Sequence, residues 1–437
     1  MTPARPRRHA AARGAAALAV LVVALAARVA PTVADTPTND PTSTTSTTTG
    51  GAGTASTPSI TLVSQSAWVG PTGVFEMRVR GPLPVSGQID ARVYVPISTQ
   101  DQLATTSAGD QLGALVEHVA VPAAQVVRAA DGSFLLRYPL VTGGSVPTYG
   151  LHLSNPGVYP FELRIEDIDG TVVGDLVTQL IRLPDEQSGI PALSVALVVP
   201  YGAPVSRSPD SSPHLTPSTL AALRAESVAL ARAPGVPVAV APVPETIDTL
   251  AQIDRTSGTH GVAQLATAIR GRTLVSGTYV TVDSGAWLAD GLADGYERQL
   301  AVGRAVLDAG LQSSPSRTVS TTDATTTPDV LAVAFDHGTR EVVVSSSRLA
   351  EDGPGTGTPS GPLTQWFDLA SSNGERIQAV PADAKLDAQL VEGPDQVLSA
   401  HHVLAALALV ALDRSDPQAC VRPSGEACRR GVGIQLP

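Results

Sequence analysis

Apolar and polar positions alternate with a period of two in short runs between Ile60 and Leu183. Val74, Glu76 to Val79, Ile89 to Val95, Phe134 to Tyr138 and Val158 to Ile165 each read as a half-buried strand. Gly81-Pro82, Asp131-Gly132, Asn155-Pro156 and Asp169-Gly170 punctuate them with turn chemistry. One polar face per run predicts two packed sheets, a β-sandwich of the immunoglobulin-like kind. Ala104 to Val127 breaks the alternation and is expected to be a loop carrying one short helix.

Beyond Pro191 the period changes. Leu193 to Val199 is an apolar strand, and Thr216-Pro217 supplies an N-cap and a first-turn proline. Leu220, Leu223 and Leu230 share one face of the helix that follows, as far as Pro234-Gly235. Val236 to Ala241 and Thr273 to Thr281 read as strands, with a partly helical stretch closing at Ile269 between them. Tyr296, Leu300, Gly303 and Leu307 stripe a helix that Gly310 is expected to end. Val342 to Ser346 and Ile377 to Val380 are further strands, and Val397 to Leu412 is a long apolar helix. Strands alternating with helices imply a parallel sheet with right-handed crossovers, and a closed or incomplete β/α barrel is favoured over an open sheet.

The N-terminus follows neither pattern. Arg5, Arg7, Arg8 and Arg13 precede an apolar run from Gly14 to Ala27, and small residues lead to a cleavage site after Ala34. That order reads as a signal peptide, the run being short for a bilayer span. The next residues, almost all Thr, Ser, Pro, Gly and Ala, cannot bury enough apolar surface to offset their ordering entropy and read as a disordered tether. The expected organisation is therefore signal peptide over residues 1–34, tether over 35–58, β-sandwich over 59–186 and barrel over 191–437, in a secreted or extracytoplasmic protein. In that compartment Cys420 and Cys428 are expected to close a short disulfide loop.

Composition narrows the function classes. The chain of 437 residues carries a net charge of −11 with no basic stripe after the leader, which disfavours nucleic acid as a partner. Lys385 is its only lysine, and no phosphate-cradling glycine loop lies near it.

Several local patterns occur together: Gly157-Val158-Tyr159-Pro160, Tyr279-Val280-Thr281-Val282-Asp283, the helix with Gln299-Leu300-Ala301-Val302-Gly303, Pro381-Ala382-Asp383, and the Leu404 to Leu412 helix. In these the chain resembles a family of secreted actinobacterial envelope proteins of uncharacterised function. The resemblance implies a sandwich followed by a barrel similar to those of polysaccharide deacetylases and certain α-glucan-active glycoside hydrolases. It also implies longer relatives with a further β-domain and a C-terminal membrane helix, which nothing after Leu412 supplies.

Chemistry in such barrels sits where strands end. Candidates there are Tyr201, Glu245 with Asp248, Tyr279 with Asp283, Asp336 with His337, and Asp383 with Asp387. Glu245, Asp283 and Asp336 are the candidate acids, and Tyr201, Tyr279 and Trp287 the candidate binding residues. Trp68, Trp287 and Trp366 suit either sugar stacking or the core. Glu245, Asp248 and Asp283 equally suit helix first turns and caps.

The resemblance also marks departures. Its glycosidases carry a nucleophilic glutamate at the fourth strand, where Val319 to Pro328 here is Thr-rich, with Asp323 inside it. Its deacetylases hold a metal with an Asp and two histidines, whereas His401 and His402 are adjacent and diverge by about 100° on a helix. No metal or cofactor is expected. The reading is a non-catalytic protein that binds cell-wall glycan or scaffolds an envelope protein. The alternatives are a glycan-active hydrolase or deacetylase and a structural stalk, with membrane contact only through the signal peptide or a C-terminal region absent from this sequence.

Overall fold

The alternating runs become two sheets, antiparallel except where β5 and β6 pair in parallel, in the computed structural model, which describes residues 60–143, 149–185, 193–322, 325–345, 366–383, 386, 389, 395–412 and 430–435. β1 (Thr61–Gln65), β2 (Val74–Arg80), β5 (Ser133–Val141) and β6 (Leu151–His152) form one sheet in that order. β4 (Leu115–Pro122), β3 (Gly87–Tyr94), β7 (Gly157–Asp167) and β8 (Val172–Arg182) form the other. Their inner faces share one core, in which the rings of Phe75 and Phe161 lie 5.0 Å apart. At the start of β7 the Tyr159 hydroxyl turns back and donates to the Asn155 carbonyl (2.6 Å). The segment expected to be a loop with one helix holds α1 (Gln100–Ser107) but also β4, a full edge strand.

The second half is a β/α unit. Its parallel strands are β9 (Leu193–Tyr201), β10 (Val238–Pro242), β11 (Thr273–Leu274), β12 (Val319–Thr321), β13 (Glu341–Ser345), β15 (Arg376–Ala382) and β16 (Arg430–Gln435), with β14 (Phe367–Ala370) antiparallel to β15. They lie in the order β11-β10-β9-β16-β15-β13-β12, so β16 pairs with β9 and chain order is kept around a ring. The two edges meet at a single parallel bridge, Val275 to Ser316, where Ser316 N–H donates to the Leu274 carbonyl (2.8 Å). The result is a partial β/α barrel with a thin seam. Its interior is lined by small side chains, including Val198, Ala239, Ala241, Val343 and Ala382. At Gly433 a Cβ would stand 2.9 Å from Val343 Cγ1, so only glycine fits there.

Among the described residues the helices of this half are α2 (Pro217–Arg232), α3 (Pro244–Ser257), α4 (Gly261–Ala268), α5 (Ser284–Ala289), α6 (Ala293–Leu311), α7 (Pro328–Asp336) and α8 (Gln396–Leu412). Thr216 caps α2 by accepting the Thr219 N–H (3.1 Å), with Pro217 in the first turn. Helix α6 runs through Gly310 and ends at Leu311, where Gln312 takes the left-handed conformation (φ 51°). Gly310 is glycine for a packing reason, because a Cβ there would press Ile247 at 3.0 Å. The expected strand over Thr273 to Thr281 stops at Leu274, and the residues after Val275 run beside α6 instead.

Helix α8 joins the two halves. Its residues Ala400 and Val403 to Leu409 share one cluster with Leu197, Val199, Val432 and Ile434 of the barrel. The same cluster takes in Leu103, Val158 and Ile181 of the sandwich half, while Val397 and Leu398 pack on the sandwich core. Asp395 caps the helix, its Oδ1 accepting from Val397 N (3.0 Å) and Leu398 N (3.1 Å). Its Oδ2 accepts from Leu62 N on β1 (3.3 Å), so one carboxylate ends the helix and ties it to the sandwich. Among the described residues no helix is long and apolar enough to cross a membrane. The leader, the tether and the Cys420–Cys428 pair lie outside the described residues.

Removing the Asp395 carboxylate strips both the cap and the tie to β1. Asp395→Ala is expected to lower stability by about 1–2 kcal/mol in urea denaturation, and Asp395→Asn by less, because its single carbonyl oxygen still caps the helix.

Candidate functional site

The loops after β9, β10 and β11 enclose an open hollow of about 520 Å³ at the C-terminal rim of the strands. Val205, Arg207, Ser208, Pro209 and Ser211 line it from the first loop, Glu245 and Asp248 from α3, and Tyr279 from the third loop. Position follows from local sequence. Pro242-Val243-Pro244 ends β10 and starts α3 at once, with proline in its first turn. Glu245 and Asp248, three residues apart, then project from the same side of that turn.

The loop after β9 is fastened to the same turn. Thr246 Oγ1 accepts from Ala203 N (3.1 Å) and lies 2.7 Å from Ser206 Oγ, while Ser206 N donates a long bond to Glu245 Oε2 (3.4 Å). Gly202 lets the loop pass, since a Cβ there would lie 2.5 Å from Val243 Cγ2. Arg207 is thereby brought over α3, where its Nη2 donates to Asp248 Oδ2 (2.8 Å) and its Nη1 to the Ser211 carbonyl (2.8 Å). The Tyr279 hydroxyl donates to the same Asp248 oxygen (2.9 Å). Burial first, and then the bond to Asp248, raise the Tyr279 hydroxyl above the usual tyrosine pKa. It therefore stays protonated, and a donor, through the neutral range.

Tyr279 owes its place to α6. Its N–H donates to the Gln299 carbonyl (3.0 Å), and its carbonyl accepts from Glu245 N (3.0 Å). Gly303 lies under this segment: a Cβ there would stand 2.4 Å from the Gly277 carbonyl oxygen and 3.0 Å from Tyr279 N. Two of the sequence patterns, the Tyr279 segment and the Gln299 to Gly303 helix, are thus one contact.

Of the expected site residues, the structure brings together Glu245, Asp248 and Tyr279 and adds Arg207 and Ser206, which the sequence reading did not single out. The others lie elsewhere. Tyr201 is buried with its hydroxyl 3.2 Å from Ser227 Oγ on α2. It shares strand parity with Leu197 and Val199, which face the helices, and so points away from the mouth. Asp283 accepts from Ala286 N (2.9 Å) and caps α5, the structural role allowed for it. Asp336 is not at a strand end. It is the last residue of α7, on the rim from which β13 starts, opposite the hollow. Trp287 is half-buried beside Gly295 of α6 and does not line the hollow. Trp68 packs against the main core, and Trp366 lies over Gly431.

Elsewhere on the rim the Thr-rich stretch forms β12, the fourth barrel strand, followed by α7 with Thr327 as its cap; Asp323 lies outside the described residues. At the sixth strand Asp383 accepts from Gln100 Nε2 of α1 (3.0 Å), so the sandwich half reaches over that side. Asp387 is also outside the described residues. Among the described residues no three His, Cys, Asp or Glu side chains gather as a metal site.

No protein-family model matches the chain, and no curated protein matches it. Among solved structures it is similar to a crystal structure of a Parabacteroides merdae β-glucuronidase at 10% identity and a TM-score of 0.16. That alignment covers 65% of this chain, which spans about a third of the glucuronidase. So loose a superposition places no residue of the hollow.

Because Gly303 sets the height of the Tyr279 segment, Gly303→Ala is expected to push Tyr279 off Asp248 and to cost about 1–3 kcal/mol through overpacking against backbone. Thermal denaturation reads the cost. A crystal structure of the variant in which Tyr279 keeps its place would contradict the assignment.

Proposed function

We propose that the chain is an exported cell-envelope protein whose barrel binds a cell-wall glycan at the Arg207–Glu245–Asp248–Tyr279 hollow without cleaving it. The carrying observation is the state of Asp248. Glycoside hydrolysis needs two carboxyl groups on either side of the scissile bond, roughly 5–9.5 Å apart. Here the two carboxyls lining the hollow leave one turn of one helix, and Asp248 is already held by Arg207 and Tyr279. Across the ring, at the sixth strand, Asp383 is engaged by Gln100. Guanidinium, carboxylate and phenol at one open rim suit sugar hydroxyls, which both donate and accept.

Sheet orders β1-β2-β5-β6 and β4-β3-β7-β8, with a tyrosine at the start of β7 bonded back to Asn155, support an immunoglobulin-like sandwich. The small-residue ring supports a degenerate barrel of the deacetylase or glycosidase kind. The basic, apolar and small-residue leader and the Thr-rich stretch support export and a tether, and Cys420 with Cys428 a disulfide.

The mature chain is expected to co-sediment with purified wall polysaccharide. Arg207→Ala and Tyr279→Phe should each weaken that binding about tenfold, a loss of roughly 1.4 kcal/mol. Release of reducing sugar or acetate that disappears in folded Glu245→Gln or Asp248→Asn protein would replace this reading with a hydrolase or deacetylase.

A further inference from the structure

Helix α8 carries two adjacent histidines in the layer between the sandwich and the barrel. His401 is 4% exposed and His402 is largely buried. Nδ1 of His401 and Nε2 of His402 find no hydrogen-bond partner among the described residues, although both atoms are sealed from solvent. A neutral imidazole tolerates one bare ring nitrogen. A protonated one there becomes a buried cation with an N–H that nothing accepts, and the next residue carries the same charge.

The surroundings offer little compensation. β1 has no ionisable side chain; α1 has Asp101; β7 has Tyr159, Glu162, Arg164, Glu166 and Asp167; β8 has Asp175 and Arg182; on the barrel flank β9 has Tyr201 and β16 has Arg430, neither of which carries negative charge near neutral pH. Glu162 is engaged by Arg164 and Tyr94, and Asp167 closes the Asp169–Thr171 turn. Glu166 takes Gln88, and Arg182 brings positive charge. The charge that favours a protonated imidazole is Asp395, acting on His402, and it is already committed as the helix cap. Burial, joined at His401 by repulsion from His402, holds both histidines well below the usual value, at about 4.

We propose that His401 and His402 form an acid-sensitive latch: as neutral rings they let α8 stay buried between the two halves, and their protonation frees the sandwich from the barrel. The sign follows from linkage. Each ring binds protons more weakly when closed than when released, so the closed state has its full advantage above the free-histidine value of 6.5 and loses it as pH falls from there toward 4. With two protons taken up, the opening constant can rise by up to about 100-fold per pH unit in that window.

The test uses the whole chain. Amide hydrogen exchange is followed from pH 7.5 to 4.5, with rates corrected for the intrinsic effect of pH. The latch predicts that protection is lost first over 397–412 and over the facing parts of α1, β7 and β8, with scattering showing a longer particle. His402→Gln, which leaves the more buried ring in place, should halve the pH slope, and the His401→Gln/His402→Gln pair should flatten it. An undiminished slope in those variants, or protection lost at the same pH throughout both halves, overturns the proposal. Should the double variant not fold, the single variant and the wild-type exchange pattern still decide it.

Discussion

The structure turns on a helix that is apolar on every side. An ordinary surface helix needs cover along one stripe, but α8 buries Ser399 to His401 and every residue from Val403 to Val410, so it needs cover on opposite flanks. The barrel strands provide one flank, and β7, β8 and α1 the other. Neither half can dispense with it. Without α8 the ring lacks a crossover between β15 and β16; without the sandwich the helix would expose its second face to water. The polar groups on this helix are therefore conspicuous. Asp395 is satisfied by three backbone N–H groups, whereas the two histidines each keep a bare nitrogen.

The hollow at the rim is built by the opposite strategy, from polar groups on short loops. Ser206, Thr246 and Asp248 fasten the loop after β9 to α3, and Glu245 N and Gln299 hold the loop after β11. Three consecutive strands thus deliver the four polar side chains of the hollow through local bonds, with no contribution from the far side of the ring. Glycine at 202 and 303 allows the backbones to approach closely enough for those bonds to form. A change in either glycine acts on the site without touching a ligand.

Elements with one wet face were legible in the sequence. β2 and β5, whose side chains alternate between buried and exposed, stand where alternation put them, β3 and β7 stand where their runs put them although they are more deeply buried, and α2 starts at its Thr-Pro signal. β8 escaped because Thr178 to Arg182 is buried on both faces and yet includes the polar Thr178, Gln179 and Arg182, so neither alternation nor an apolar run marks it. β4 escaped for the opposite reason, being an edge strand exposed over most of its length. Helix α7 was hidden in a Thr-rich run that supplies its cap and first-turn proline. Of the site, Glu245, Asp248 and Tyr279 were legible as polar residues near strand ends. Arg207 was not, because its loop is long and only the fastening by Thr246 brings it back. Tyr201 misled because it does stand at a strand end; counting parity from Leu197 would have sent it outward.

The way the sandwich meets the barrel constrains what the rim can bind. α1 departs from the sandwich after β3, packs on α8 and β8, and presents Gln100 to Asp383 at the sixth strand. The first three strands carry the open hollow, and by ring order the sixth lies across from the second. The rim is therefore divided: one side is exposed and furnished with charged groups, the other is engaged by the protein itself. An extended polymer could rest on the open side and continue into solvent. A ligand that had to be gripped from all sides at the barrel axis would have to displace Gln100 first. The interior beneath offers no alternative, since Val198, Val343, Ala382 and Gly433 close it with side chains and backbone. A shallow site on one side of the ring therefore follows from the same packing of α1 and α8 that fixes the two halves together.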